Sequence, residues 1–243
     1  MKHCTIHPIP LWISPSDKSH MTYFANLGQP LCVTGYIWYI EGAGEKIVVD
    51  SGGDPEALAR IGIPAHNLQS LEAGLAKAGI AAEEVDLVIQ THLHFDHTAF
   101  ASRFPKARVM VQKRELDFAR NPHPVWAGLY DPKLFQNLKL EVVDGDYKIS
   151  DDVNILFTPG HSPGGQSVSV KTAKGTAVIA GLCSIVDNYN PPPLPNGKTI
   201  AAIAPAIHSD LFQAYDSVVR IKELADIILP IHDPSFLTRS VIP

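Results

Sequence analysis

The run Val85 to Gln90 reads as a short buried strand, and the seven residues after it are Thr91-His92-Leu93-His94-Phe95-Asp96-His97. Four imidazole or carboxylate donors within six residues is a dense cluster, and a strand end fixes such groups more rigidly than a free loop would. Side chains alternate along extended backbone. His92, His94 and Asp96 are therefore expected to project to one side, with His97 breaking the alternation where the chain turns into a helix. A lone histidine usually faces solvent or sits satisfied in a core. Three of them with an aspartate, packed behind a buried strand, fit neither description. Imidazole and carboxylate are the right donors for Zn2+, at about 2.0–2.2 Å.

Two further histidines stand in comparable places. His161 follows the strand-like stretch Val153 to Phe157 and sits among Gly160, Pro163, Gly164 and Gly165, expected to form a rigid loop whose backbone approaches a ligand closely. His232 follows Ile227 to Leu229 and precedes Asp233-Pro234. Strands are also expected over Leu31 to Ile40, Lys46 to Val49, Arg108 to Gln112, Glu141 to Val143, Gln166 to Val170 and Thr176 to Ala180. The segment Glu41 to Glu45 reads as a hairpin loop. Helices are expected over Asn67 to Ala78, Arg114 to Arg120 and Ser209 to Leu224, the last with Ser209 as N-cap. Asn121 to Asp131 reads as an irregular insertion, and Pro191-Pro192-Pro193-Leu194-Pro195 as an extended loop, since consecutive prolines enter neither a helix nor a central strand. Strands without a regular βαβ rhythm, interspersed with helices, suit a sheet sandwich covered by helices.

The 243 residues, 45% hydrophobic and 19% charged, suffice for one large domain, expected to span 1–243. With a net charge of −5 and lysines and arginines scattered singly, the chain has no basic stripe for a phosphate backbone, which argues against nucleic acid as a partner. Three widely spaced cysteines are no disulfide framework and point to a reducing compartment. Neither a signal peptide nor an apolar run of membrane-spanning length is evident, so the expected setting is the cytoplasm, without a membrane partner.

The stretch His92-Leu93-His94-Phe95-Asp96-His97 resembles the His-x-His-x-Asp-His signature of the metallo-β-lactamase superfamily. The other motifs agree in order: Asp50-Ser51-Gly52, then Thr158-Pro159-Gly160-His161-Ser162-Pro163-Gly164, then Ile231-His232-Asp233. Within the superfamily the chain is most similar to the N-acyl homoserine lactonase group, through Thr91 to His97 and Val111-Gln112-Lys113-Arg114-Glu115. The resemblance implies an α+β fold, a four-layer αββα sandwich. It implies that His92, His94 and His161 hold one ion, and Asp96, His97 and His232 the other. Two Zn2+ ions are expected, with Fe or Mn as alternatives, and Asp50 is expected to support the ligands from behind.

One part of the pattern is broken. The superfamily bridges its metals with an Asp just after the strand that Thr176 to Ala180 resembles, and here the chain reads Ile179-Ala180-Gly181-Leu182-Cys183-Ser184-Ile185. Cys183 is the candidate replacement, as a thiolate ligand at about 2.3 Å; the alternative is a small buried hydrophobe. The lactonases carry a tyrosine shortly after that Asp. The same interval here lands on Val186, leaving Tyr189 or Asp187 as substitutes. Asp96 and Tyr189 are thus the candidate catalytic residues.

These features imply a hydrolase in which a zinc-activated hydroxide opens a small cyclic ester, lactone-like, or a related carbonyl substrate. Asp96 would steer the attack or carry the proton. Thioester, amide or phosphoester hydrolysis is the alternative, then iron-dependent oxidation, against which His94 and the missing Asp both count. A metal-stabilised binding protein is the non-enzymatic reading. Trp126, Leu129, Tyr130 and Pro191 to Pro193 suit a pocket for a small, partly apolar molecule, and equally a lid or a homodimer contact.

Overall fold

The computed structural model describes residues 3–193 and 197–243. Leu194 and Pro195, the end of the proline-rich stretch, lie outside them.

The described residues form six α-helices and twelve strands, the strands in two sheets. The first sheet contains β1 (Thr5–Asp17), β2 (Pro30–Glu41), β3 (Ile47–Val49), β4 (His66–Asn67), β5 (Leu87–Ile89), β6 (Arg108–Gln112) and β7 (Leu140–Val143) in the order β4-β1-β2-β3-β5-β6-β7. Its β1–β2–β3 part is antiparallel and its β3–β5–β6–β7 part parallel. The second contains β8 (Tyr147–Lys148), β9 (Val153–Phe157), β10 (Gln166–Thr172), β11 (Gly175–Ala180) and β12 (Ile227–Pro230) in the order β12-β11-β10-β9-β8.

The helices are α1 (Pro55–Arg60), α2 (Leu71–Lys77), α3 (Phe95–Thr98), α4 (Lys113–Arg120), α5 (Val186–Tyr189) and α6 (Leu211–Leu224). Three apolar clusters define the layering. Tyr36, Trp38, Val49 and Ile89 of the first sheet meet Ile155, Val168, Ile179 and Leu229 of the second. The opposite face of the first sheet, through Ile37, Val48 and Val88, takes Leu58 of α1 and Leu71 and Leu75 of α2. The outer face of the second, through Val178 and Ala180, takes Val218 and Ile221 of α6. The result is helix on sheet on sheet on helix, the expected α+β sandwich.

Several boundaries differ from expectation, each for a local reason. Strand β1 was not expected because Pro8, Pro10 and Pro15 interrupt it. Its long partner β2 lies on one side and only the two-residue β4 on the other, so most of that second edge needs no ladder donor. Helix α2 begins at Leu71, not Asn67. Ser70 caps it by accepting from Ala73 N at 3.2 Å, while His66 and Asn67 pair with Ile13 and Trp12. Helix α6 is capped by Asp210, which accepts from Gln213 N at 2.9 Å; Ser209 instead donates its hydroxyl to Gly160 O. Helix α1 follows the same logic, with Asp54 accepting from Glu56 N and Pro55 in the first turn.

Trp38 lies fully buried between the sheets, 5.0 Å from the Tyr36 ring and 5.7 Å from that of Phe236, ring centre to ring centre. Trp38→Ala is expected to lower the unfolding free energy by about 3–5 kcal/mol. Urea unfolding at an unchanged m-value checks this.

Candidate metal centre

Parallel pairing of β3 with β5 sets Val49 opposite Ile89, so the chain leaves both strands side by side. Asp50 leaves β3 with φ 59°, in the left-handed region, and its buried carboxylate turns toward the end of β5. It accepts from Thr91 N at 2.7 Å, from the Thr91 hydroxyl at 2.9 Å and from His97 Nδ1 at 2.8 Å. Backbone follows the same route, with Asp50 N donating to Ile89 O and Ser51 N to His97 O.

The extended segment is shorter than expected. His94 is its last residue, at φ −65° and ψ 147°, and Asp96 and His97 lie in the first turn of α3. Asp96 therefore does not continue the alternation of His92 and His94. It is carried round with His97, toward His232.

Two groups of donors result. Ligand atoms of His92, His94 and His161 lie within 4.8 Å of one another, and so do those of Asp96, His97 and His232. Among the described residues no donor belongs to both. Four of the five histidines have a partner on the inner nitrogen. His161 Nδ1 donates to Ile207 O at 2.8 Å and His232 Nδ1 to Thr34 O at 3.2 Å. His97 Nδ1 is on Asp50 at 2.8 Å, and His92 Nδ1 is 3.0 Å from the Thr91 hydroxyl, itself donated to Asp50. A carbonyl can only accept, so Nδ1 of His161 and His232 carries the proton and Nε2 presents a lone pair.

The outward-facing nitrogens fit a cation better than they fit one another. His94 Nε2 and His97 Nε2 are buried without a hydrogen-bond partner, and His92 Nε2 faces His161 Nε2 at 3.2 Å. Buried polar atoms are rarely left so. Burial holds His92 and His94 well below the usual histidine range and brings His161 and His232 down to about 4, so these four are neutral, as ligands must be. Burial also opposes charge on His97, but the carboxylates of Asp96 and Asp50 outweigh it and raise its pKa to about 10. Burial would raise Asp96 in turn, and the charge on His97 more than cancels that, holding its carboxyl far below the usual range. A cation bound there takes the place of the His97 proton.

Trp126 and Tyr130 close one side, their rings 5.3 and 4.8 Å from that of His94. On the other side lies a cavity of about 290 Å3 in which Asp96 and His232 form part of the wall. Trp12, Met21, Val33, Leu58, Ile63 and Ile207 give it an apolar lining. None of these six was marked by the sequence, since they come from five separate segments and carry no motif.

Two expected site residues fall elsewhere. Cys183 touches the apolar cavity, but its Sγ contacts Met21 Sδ at 3.4 Å, it joins neither donor group, and burial pushes its thiol up, away from the thiolate a ligand needs. It packs as a small hydrophobe. The Tyr189 hydroxyl sits 3.0 Å from Ser184 Oγ inside the cluster under α6, and burial raises its pKa. It faces the core rather than the donors. Asp187 accepts from Lys18 Nζ and Asn26 Nδ2, tying down the loop after β1. The glycines around His161 serve packing, not ligand approach: a Cβ on Gly160 would stand 2.1 Å from Ala214 N, and one on Gly164 2.1 Å from Glu115 N.

Glu115 enters the sequence reading only as the last residue of the Val111-Gln112-Lys113-Arg114-Glu115 resemblance, with no role assigned to it. Its fully buried carboxylate accepts from Leu93 N at 2.9 Å, Gly164 N at 3.0 Å and the Tyr130 hydroxyl at 3.2 Å. A glutamate in the polar run Lys113 to Asp117 reads as a solvated helix charge, and only the fold shows which one turns inward.

The chain belongs to the metallo-β-lactamase superfamily, whose family model matches residues 31–181. It is 32% identical over 105 residues to an N-acyl homoserine lactonase of Bacillus cereus, a match covering 43% of this chain and 40% of that protein. The matched stretch is thus less than half the length of that relative. The crystal structure of a quorum-quenching N-acyl homoserine lactone lactonase superimposes with TM-score 0.78 at 24% identity, covering 98% of this chain and 95% of the other. AidC, a dizinc quorum-quenching lactonase in complex with a product, superimposes with TM-score 0.71 at 17% identity, covering 99% and 90%. At these identities the structural likeness establishes the fold.

Cys183→Ser is expected to bind as much metal per chain as the parent protein, by elemental analysis, because the thiol is outside both groups. Loss of one ion would return it to the ligand set. Tyr189→Phe is expected to cost about 1 kcal/mol of stability through the Ser184 contact, with no change in bound metal.

Proposed function

We propose that this chain is a hydrolase with two Zn2+ ions, one on His92, His94 and His161 and one on Asp96, His97 and His232, that opens a small lactone. The carrying observation is that two separate three-donor groups stand side by side and adjoin an apolar cavity through Asp96 and His232. The all-nitrogen and nitrogen–oxygen donor sets suit zinc. Ions held there supply a water acidic enough to act as a nucleophile near neutral pH.

The chain's own residues do the rest. At about 290 Å3 the cavity is at the small end for ligand sites and mostly apolar, which suits a short acyl chain on a compact ring. Its remaining polar wall comes from Ser14, Ser16 and His20, which can receive an amide or ring oxygen. The Asp96 side chain is 19% exposed, against 2% for His97. It is placed to take a proton from the attacking water and deliver it to the ring oxygen as the acyl carbon–oxygen bond breaks, leaving a hydroxy acid. N-acyl homoserine lactones are the first substrates to test, as the relatives hydrolyse or are named for them. Three free cysteines suit a reducing compartment such as the cytoplasm. No helix among the described residues is long and apolar enough to cross a membrane.

Zinc-loaded protein should be assayed on a panel of lactones, esters and thioesters with a pH indicator. Lactone opening is expected to dominate, to stop with a strong chelator, and to fall by more than about a hundredfold in His94→Ala, since changes merely behind a ligand already cost about 10–100-fold. Stoichiometric iron with oxygen uptake, or no hydrolysis across the panel, would overturn the reading.

A further inference from the structure

We propose that Glu115 is the positioning carboxylate of the His92–His94–His161 group, doing for that ion what Asp50 does for the ion on Asp96, His97 and His232. The inference rests on the two-ion reading above.

Glu115 sits in the first turn of α4 with no solvent exposure. Its Oε1 accepts from Leu93 N and from the Tyr130 hydroxyl, and its Oε2 from Gly164 N. Leu93 lies between His92 and His94, and Gly164 is three residues after His161. One side chain therefore joins the two loops that carry all three donors of the group. Its third partner, Tyr130, packs its ring edge-on against His94 with 4.8 Å between ring centres. The join depends on Gly164, because any Cβ there would collide with the Glu115 backbone that now lies against it.

Charge distinguishes this from ordinary packing. A buried carboxylate must be matched by donors or by positive charge. Asp96 belongs to the other group and Asp50 bonds directly to its His97, reaching His92 of this one only through the Thr91 hydroxyl, whereas the three imidazoles of this group bring no charge. Among the described residues no carboxylate is shared between the groups. Glu115 is thus the buried carboxylate that joins both loops of the all-histidine side, and it acts through backbone bonds without touching the ligands. Glutamine cannot imitate it. A carboxamide has one acceptor oxygen and would turn an N–H toward either Leu93 N–H or Gly164 N–H.

The test uses two single-site backgrounds. His232→Ala leaves the all-histidine group intact, and His94→Ala leaves the other. Zinc affinity is measured by chelator competition with and without Glu115→Gln. Glu115→Gln is expected to weaken zinc about 10–100-fold in the His232→Ala background and by less than about threefold in the His94→Ala background. Tyr130→Phe, which removes a single donor and keeps the ring, covers the case in which Glu115→Gln does not fold. It should weaken zinc severalfold in the first background alone. No weakening, or equal weakening in both, overturns the inference and makes Glu115 a general packing residue. The two-ion reading fails by a different result, fewer than two zinc ions per parent chain.

Discussion

The carboxylate of Asp50 is the contact on which the site depends. A buried anion is costly unless donors surround it, and here three converge from the strand end and helix that follow β5. The bond to His97 Nδ1 fixes that ring's tautomer and aims Nε2 at Asp96 and His232. The bonds to Thr91 hold the start of the His92–His94 segment, and because the Thr91 hydroxyl is donated to Asp50, its lone pair is left to accept from His92 Nδ1. One carboxylate thus reaches a histidine of each group, one directly and one through a hydroxyl. None of this would align without the parallel pairing of β3 and β5, which sets Asp50 beside Gln90 and Thr91.

The donors themselves were legible because they are chemically conspicuous and close in sequence. His161 and His232 were legible for a weaker reason, each following an apolar strand. What the sequence hid was direction. The alternation that places His92 and His94 together was carried one step too far, to Asp96, because the residue at the N-cap of the short helix is His94, which makes no side-chain cap and does not announce a helix. Cys183 was drawn in by counting along the chain from a strand end, whereas the turn after β11 points its sulfur at Met21. Tyr189 failed likewise, its hydroxyl satisfied by Ser184 within the same short segment.

Residues that act from a distance in sequence left no local sign of their role, even where, as with Glu115, they stand in a quoted motif. Glu115 shares its helix with Lys113, Arg114 and Asp117, and only the packing of α4 against the Gly164 turn selects it for burial. Strand β1 was concealed by its own prolines, although an edge position makes them tolerable. The cavity wall draws on that strand, on Val33, on α1 and the turn after it, and on Ile207, so it exists only once the sheet has formed.

Access to the two donor groups is unequal, and this orders the chemistry. Trp126 and Tyr130 cover His94, and His92, His94 and His161 are all nearly inaccessible. Asp96 is the more open group, and it borders the apolar cavity together with His232. A molecule that fills the cavity therefore meets the Asp96–His97–His232 side first, with the all-histidine side behind it. On the proposed function, such an arrangement would favour a substrate whose reacting carbonyl is at one end of an apolar body, with the body in the cavity and the carbonyl toward Asp96 and His232. On the proposed lactone-opening reading, the half-buried Asp96 carboxylate would also stand where a leaving oxygen emerges, as the residue of the second donor group able to move the proton.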